Sequence, residues 1–448
     1  MKKVLTIAGS DPCGGAGIQG DLKTFARFGV YGLSVITSIT AQNTVGVQTI
    51  HDLPPDLVGS QIDSIARDIN IDAVKTGMIS NSGIIEKVSE CILAYSIQYL
   101  VVDPVMYAKD GTPLLQPEAR ERLIKRLFPL SYLITPNIPE AEALSGIKIK
   151  DIGDMKRAIK KIKGMGVNNI IIKGGHLNLK GDAVDILYDG NGYTPYRSER
   201  IETGDIHGTG CTFAAAITAG LAQDMGLKEA VRSAKEFITT AIQHSLSIGK
   251  GLKISDHLFS LYRDRERYIL LKRVEEAIKL LEKGEIGPLI PEVQSNLGAG
   301  LTSAYSINDV IGIPGRIIRY GKDIRTLSRP DFGVSRHIGR TVLTVMRHDP
   351  TKRAVMNIRY SDEIIDACRR LGMGIAQFDR RDEPEEVRSE EGQSLEWGIN
   401  KAIKEFGSVP EIIYDKGGMG KEGMIRVIGD DPIELSLKIL KIKGEVIG

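Results

Sequence analysis

Cysteine is scarce and scattered in this chain: four in 448 residues, at Cys13, Cys91, Cys211 and Cys368. No two have metal-ligand spacing, so they read as reduced thiols, which implies a cytoplasmic protein rather than a disulfide scaffold. An excess of either charge is missing too, since 59 Lys and Arg against 57 Asp and Glu leave a net charge of +2. That balance gives no global attraction to nucleic acid or to a membrane surface, and neither is expected as a partner. No apolar run approaches the length that spans a bilayer. The opening residues reach Gly9 and Asp11 too soon for a secretion signal, so residues 3–8 are expected to be a first strand. There is no internal repeat mapping one half onto the other. Length then favours two or three domains in a soluble intracellular protein.

What is there is organised around residues 206–221, Ile-His-Gly-Thr-Gly-Cys-Thr-Phe-Ala-Ala-Ala-Ile-Thr-Ala-Gly-Leu. The turn His207-Gly208-Thr209-Gly210 runs directly into strong helix formers. Such a helix start presents unpaired N–H groups beside glycines that admit a close neighbour, and so suits a phosphate. Cys211 sits in the same turn, where a helix N-terminus is expected to lower a thiol's pKa. Together these suggest phosphoryl transfer with Cys211 as proton acceptor; the plainer reading is a glycine-capped helix holding a buried cysteine.

Around that turn the first half alternates short β-rich runs (3–8, 34–39, 73–77, 99–103, 132–135, 169–173) with amphipathic stretches, of which 18–28, 55–67, 117–127 and 154–163 are clearest. Strands apolar on both faces and separated by helices imply a mostly parallel sheet covered on both sides, an α/β fold. Residues 184–188 and 193–196 resemble a hairpin leading to the central turn. Ligands in such sheets bind beyond the carboxyl ends of the strands. Gly9, Asp11, Gln42, Met78, Asp103, Asn137 and Gly174 all fall there. Asp103 caps a turn or holds a metal near a phosphate. Asn137 and Glu140, three apart, form a helix cap or a magnesium–water clamp. Lys173 offers a cation in a glycine loop that runs on to His176, or is simply solvated. Gln42 can pair with a heteroaromatic ring, or with water.

Taken in order, six motifs match a family: Thr6-Ile-Ala-Gly-Ser-Asp-Pro-Cys-Gly-Gly-Ala-Gly-Ile-Gln, Thr40-Ala-Gln-Asn-Thr, Lys75-Thr-Gly-Met, Val102-Asp-Pro-Val-Met, Thr135-Pro-Asn-Ile-Pro-Glu-Ala-Glu and His207-Gly-Thr-Gly-Cys-Thr. Over roughly residues 1–255 the chain resembles the bifunctional hydroxymethylpyrimidine/phosphomethylpyrimidine kinases of thiamine biosynthesis, of ribokinase-like fold. The resemblance implies two successive phosphorylations of 4-amino-5-hydroxymethyl-2-methylpyrimidine, with ATP and Mg2+ as cofactors, by a cytoplasmic homodimer. It implies that Gln42 bonds the pyrimidine, that Gly9, Asp11, Met78 and Val105 line its pocket, and that Lys173, Gly208, Thr209 and Gly210 cradle the phosphates of ATP. Cys211 is then the catalytic base and Asp103, Asn137 and Glu140 lie at the metal. Two departures stand out: Cys13 replaces a usual serine, and residues 203–206 are atypical.

The domain boundary is expected near 255–270, giving a kinase domain at 1–260, a charged helical connector at 261–284 and a second, smaller α/β domain at 285–448. Between 316 and 340 seven cationic residues (316, 319, 322, 325, 329, 336, 340) face two acids, with His337 among them. Residues 380–391 read as an acidic loop, 394–406 as a helix and 411–414 as a strand. The motifs Gly315-Arg-Ile-Ile-Arg, Arg329-Pro-Asp-Phe-Gly-Val-Ser-Arg-His, Ala354-Val-Met-Asn-Ile-Arg-Tyr, Glu396-Trp-Gly and Tyr414-Asp-Lys-Gly-Gly-Met-Gly-Lys-Glu resemble the non-barrel thiamine-phosphate synthase domain fused to such kinases. This implies condensation of the pyrimidine diphosphate with thiazole phosphate, releasing pyrophosphate. Arginine forks suit that leaving group. The resemblance puts Arg316 and His337 at its departure, with Arg336, Asp415 and Lys421 as weaker candidates. Two rivals stand beside this reading: a C-terminal domain that senses a ligand without catalysis, and a pyridoxal-type kinase.

Overall fold

The computed structural model describes residues 1–448 except 176, 178–180, 203, 385–392, 419 and 448. The chain divides into two compact units, Met1–Leu261 and Tyr262–Gly448.

The first unit is built from β1 (Lys3–Ser10), α1 (Gly17–Arg27), β2 (Tyr31–Gln42), β3 (Val47–Asp52), α2 (Pro55–Ala66), β4 (Ala73–Thr76), α3 (Ser82–Ala94), β5 (Leu100–Val102), α4 (Pro117–Arg122), β6 (Leu133–Ile134), α5 (Ile138–Ser145), α6 (Ile152–Lys163), β7 (Ile170–Ile172), β8 (Asp182–Tyr188), β9 (Tyr193–Glu199), β10 (Ile206–His207), α7 (Thr209–Ala222), α8 (Leu227–Gln243) and β11 (Lys253–Ile254). One sheet runs β3-β2-β1-β4-β5-β6-β7-β8-β9. Its middle, from β2 to β7, is parallel. The edges are antiparallel: β3 on β2, and the expected hairpin β8–β9 beside β7.

The continuous apolar strands follow from cover on both faces. Leu100 and Val102 join one core and Val101 the opposite one; Ile170 and Ile172 are likewise divided from Ile171. Helices α2 to α6 cover the first face, and α1, α7 and α8 the second. Helix α7 is buried from Thr212 to Ala222, and its alanines and Gly220 let it lie close to α8. In the first unit the polar edge strand β3, helix α3 and the short pair β10–β11 are not expected from the sequence. Strands β1 and β2 both extend further than expected, so Gly9 lies within β1 and Gln42 is the last residue of β2 rather than following it.

Helix α9 (Phe259–Lys283) crosses the boundary between the units. Its buried stripe, Leu270, Val274, Ala277, Ile278 and Leu281, is part of the second core. The second unit continues with β12 (Leu297–Gly300), β13 (Val310–Gly312), β14 (Ile317–Tyr320), β15 (Asp323–Thr326), β16 (Asp331–Phe332), α10 (Arg336–His348), β17 (Ala354–Arg359), α11 (Asp362–Arg370), β18 (Ile375–Gln377), a helix Gln393–Phe406, β19 (Ile412–Asp415), β20 (Met424–Gly429) and a helix Pro432–Ile447. Its sheet, β16-β13-β12-β17-β20-β19-β18, is antiparallel except for β18–β19. Helices lie on both faces here too: α10 and Gln393–Phe406 on one, α9, α11 and Pro432–Ile447 on the other. Among the described residues no helix is long and apolar enough to cross a membrane.

Candidate active site

Strand β1 delivers Asp11 into a glycine loop that the buried carboxylate itself shapes. Asp11 Oδ1 accepts from the Cys13 N–H (3.0 Å), and Oδ2 from the N–H groups of Gly15 (3.1 Å) and Ala16 (2.8 Å). His207 Nε2 lies 2.9 Å from Asp11 Oδ2 and 3.1 Å from Gln42 Nε2. Burial opposes the charge on Asp11, yet the bonds from His207, Cys13 and Ala16 hold its pKa at about 2. A Cβ added to Gly9 would meet Met78 Sδ at 3.0 Å. Gly9, Asp11, Gln42 and Met78 therefore gather at the carboxyl ends of β1, β2 and β4. Val105 lies in the turn after β5, its N–H donating to the Asp103 carbonyl (2.9 Å).

The central turn packs against that loop. Gly208 has φ +87°, and a Cβ on it would lie 1.8 Å from the Gly15 carbonyl oxygen. Helix α7 starts at Thr209 with no side chain capping its first N–H groups. Facing that start, Lys173 Nζ and Asp103 Oδ2 lie 3.1 and 4.0 Å from where a Cβ on Gly210 would stand. Lys173 donates to Asp103 Oδ1 (2.7 Å), which also accepts from the Thr135 hydroxyl (2.9 Å). Asn137 and Glu140 form a complete capping box on α5, with bonds of 2.8 and 2.9 Å. Burial pushes the Glu140 carboxyl up to about 7, with Lys173 opposing and Asp103 adding to the rise.

Cys211 corrects one expectation. Its thiol is not lowered but pushed up to about 11. Burial outweighs the pull of Lys75 and Lys173, and Asp103 and Asp21 add to the rise. Lys75 was missed as a site residue. Fully buried, it donates to Asp21 at 2.8 and 3.0 Å, and Asp21 also accepts from Thr6 (2.6 Å). The motif Lys75-Thr-Gly-Met contains it, but nothing local announces a buried cation.

In the second unit Arg316, Arg336 and His337 line one cavity of about 440 Å³. Arg336 and His337 open α10, whose N-cap Ser335 makes no side-chain cap. Arg316 (φ +68°) and the lining residue Gln294 (φ +69°) both have left-handed backbone, a strain that clusters at functional sites. Asn296 holds the turn before Arg316, accepting from the Ile313 N–H and donating to its carbonyl, each at 3.0 Å. Sequence reasoning missed Gln294 and Asn296, because only the backbone brings them to Arg316. Of the seven cationic residues, Arg316 and Arg336 line the cavity. Asp415 does not line it: buried, it accepts from Arg380 (2.7 and 3.2 Å), Arg426 (2.9 Å) and the Gly417 N–H (3.0 Å). Lys421 sits in a tight turn with Gly418, beside Glu422, which accepts the Glu292 and Val293 N–H groups at the cavity rim. His176, Thr203, most of the expected acidic loop and Met419 lie outside the described residues.

A family model described as phosphomethylpyrimidine kinase matches residues 11–256, and one described as thiamine-phosphate synthase ThiN matches residues 273–441. The hydroxymethylpyrimidine/phosphomethylpyrimidine kinase of Haemophilus influenzae is 49% identical over 57% of this chain and 97% of its own length. The thiamine biosynthesis bifunctional protein ThiED of Geobacter sulfurreducens is 48% identical over 59% of this chain, but only 54% of that protein is covered. A solved pyridoxal kinase of Bacillus subtilis, in an ADP complex, is 42% identical with a TM-score of 0.54, covering 58% of this chain and 98% of that one. The pyridoxal kinase of Staphylococcus aureus with AMP-PCP and pyridoxal is 40% identical with a TM-score of 0.53, covering 57% and 93%. Fold, motif order and matched length agree: the chain belongs to the phosphomethylpyrimidine kinase family, its first unit is ribokinase-like, and a ThiN-type thiamine-phosphate synthase domain follows it.

Proposed function

We propose that the first unit phosphorylates 4-amino-5-hydroxymethyl-2-methylpyrimidine twice with ATP, and that the second joins the resulting diphosphate to thiazole phosphate. The observation that carries the first half is the uncapped start of α7, with Gly210 facing Lys173 and Asp103 and with Cys211 in the same turn. The pyrimidine oxygen attacks the γ-phosphorus, the bond to the ADP oxygen breaks, and the hydroxyl proton passes to the Cys211 thiolate. The N–H groups of Thr209 and Gly210 and the Lys173 ammonium take up the charge on the transferring group. Gln42, beside Asp11, Gly9, Met78 and Val105, orients the ring. Because burial holds Cys211 at about 11, only a small fraction is thiolate at neutral pH. The kinase kcat is therefore expected to rise roughly tenfold per pH unit from about 7 to 9. A flat profile over that range contradicts the role as base.

Asp103 fits a Mg2+ ion best, since its Oδ2 faces the turn while Oδ1 holds Lys173 and Thr135. Asn137 and Glu140, committed to their capping box, would act through water. The ion, when bound, neutralises phosphate charge.

In the second unit we assign Arg316 and Arg336 to the departing pyrophosphate and His337 to proton donation, with the open turn of α10 beside them. Lys421, next in sequence to Glu422, is assigned as a further phosphate contact, and Asp415 anchors the loop. The same reading makes the chain a cytoplasmic homodimer, checked by a scattering mass of twice 48.9 kDa.

The likeness to two solved pyridoxal kinases supports a second reading of the first unit. Competition between the two substrates for turnover separates them. The hydroxymethylpyrimidine is expected to have the larger kcat/KM, and a larger value for pyridoxal reverses the assignment.

A further inference from the structure

We propose that Asp11, Cys13 and His207 form a site for a borderline-soft divalent cation, with Zn2+ as the type case. We also propose that the bound ion shuts the kinase by occupying the mouth of the pyrimidine pocket. The second half of this proposal rests on the kinase reading above; the site itself does not.

The ligating atoms of the three side chains lie within 4.8 Å of one another, and no other His, Cys, Asp or Glu trio among the described residues does so. His207 Nε2 and Cys13 Sγ converge on one oxygen, Asp11 Oδ2, at 2.9 and 3.5 Å. A tetrahedral ion with metal–nitrogen and metal–oxygen bonds of about 2.0–2.2 Å and a metal–sulfur bond of about 2.3 Å separates its ligands by roughly 3.3–3.6 Å. Shifts of a few tenths of an ångström between Asp11 and His207 therefore make room for one.

The hydrogen bonding there is over-subscribed. Oδ2 already accepts from the Gly15 and Ala16 N–H groups before His207 and Cys13 are counted. His207 Nε2 lies between Asp11 Oδ2 at 2.9 Å and the Gln42 amide at 3.1 Å, so the Gln42 side chain borders the same point. A cation taking the place of the Nε2 and Sγ protons turns this crowd into coordination. A half-turn of the Gln42 amide then supplies its carbonyl oxygen as a fourth ligand.

The loop is braced for the task. Asp11 is buried and fixed by three backbone N–H groups, which orient it as an outer shell orients a metal ligand. Cys13 and His207 remain partly exposed, so an ion reaches them from solvent. A thiolate–imidazole–carboxylate set favours zinc-like ions over Mg2+, which separates this site from the metal that accompanies ATP. Asp11 and Gln42 are also the groups assigned to the pyrimidine, so ion and substrate compete for them.

The test is titration of the full chain with Co2+ as a spectroscopic stand-in. A thiolate-to-cobalt band in the near ultraviolet and tetrahedral bands in the visible are expected, lost on adding Zn2+. Cys13→Ser should remove the thiolate band and weaken Zn2+ binding by roughly a hundredfold, while Cys211→Ser should keep both. In kinase assays Zn2+ should lower kcat/KM for the pyrimidine at least about tenfold in the natural chain, and less than about twofold in Cys13→Ser. Absence of the thiolate band, or its survival in Cys13→Ser, overturns the site. A normal band with activity untouched by Zn2+ overturns the shut-off. The bands are read without any substrate, so they stand even if the kinase assignment fails.

Discussion

Cys211→Ala is expected to lower pyrimidine phosphorylation by about 10²–10⁴-fold while leaving condensation of supplied pyrimidine diphosphate intact. Arg316→Ala is expected to do the converse. The two residues sit in separate compact units, each with its own core, and feel different groups: Cys211 the charges of Lys75, Asp103, Asp21 and Lys173, Arg316 the cavity with Arg336 and His337. Losing a proton acceptor in one and an arginine fork in the other should not cross over. Arg316 adds a control that a merely structural role would not pass. At φ +68° its backbone is strained, so Arg316→Gly should raise the stability of the second unit by about 1 kcal/mol while abolishing condensation. Urea midpoints followed beside both activities give the answer. Equal damage to both activities from either substitution would contradict the division into two sites.

Gly208→Ala is expected to be the most damaging single-methyl change in the first unit. The new Cβ would lie 1.8 Å from the Gly15 carbonyl, which is backbone and has no rotamer to yield, and φ +87° is itself unfavourable for alanine. The loop 14–17 and the start of α7 must part, at a cost of roughly 2–4 kcal/mol and with the phosphate cradle opened. Gly192→Ala, in the hairpin between β8 and β9 with no atom within 4 Å of the added carbon, should stay within about 0.5 kcal/mol of the natural chain. Denaturant midpoints of both variants provide the comparison. A Gly208→Ala chain as stable and active as the Gly192→Ala chain contradicts the close packing of the turn.

Much of this was legible in the sequence, for a physical reason. Stretches such as 170–172 and 100–102 are apolar at every position because helices cover both faces of the sheet, and so they announce a parallel sheet. Strand β3 hid because it is an exposed, polar edge whose pairing with β2 is tertiary. Helix α3 carries a readable stripe, Ile84, Ile85, Val88, Cys91 and Ile92, behind an Asn81 cap. The uncapped helix start after the glycine turn at 207–210 was readable, but the state of Cys211 was not. A helix start argues for a low pKa, and only the fold reveals the burial and the two carboxylates that reverse it. Likewise Arg316 and His337 were visible in the basic stretch 316–340, whereas Gln294 and Asn296 reach the same cavity through backbone geometry that no spacing encodes. The trio Asp11, Cys13 and His207 is spread over nearly 200 positions and meets only because Gly208 lets the turn sit on the loop.

The most direct test of a two-site enzyme is a single reaction. The purified chain is mixed with the hydroxymethylpyrimidine, ATP, magnesium and thiazole phosphate, and the products are weighed by mass spectrometry. Thiamine phosphate is the expected product, formed by way of the pyrimidine monophosphate and diphosphate. Accumulation of the diphosphate without thiamine phosphate would contradict the synthase and leave the second unit a ligand sensor behind a working kinase.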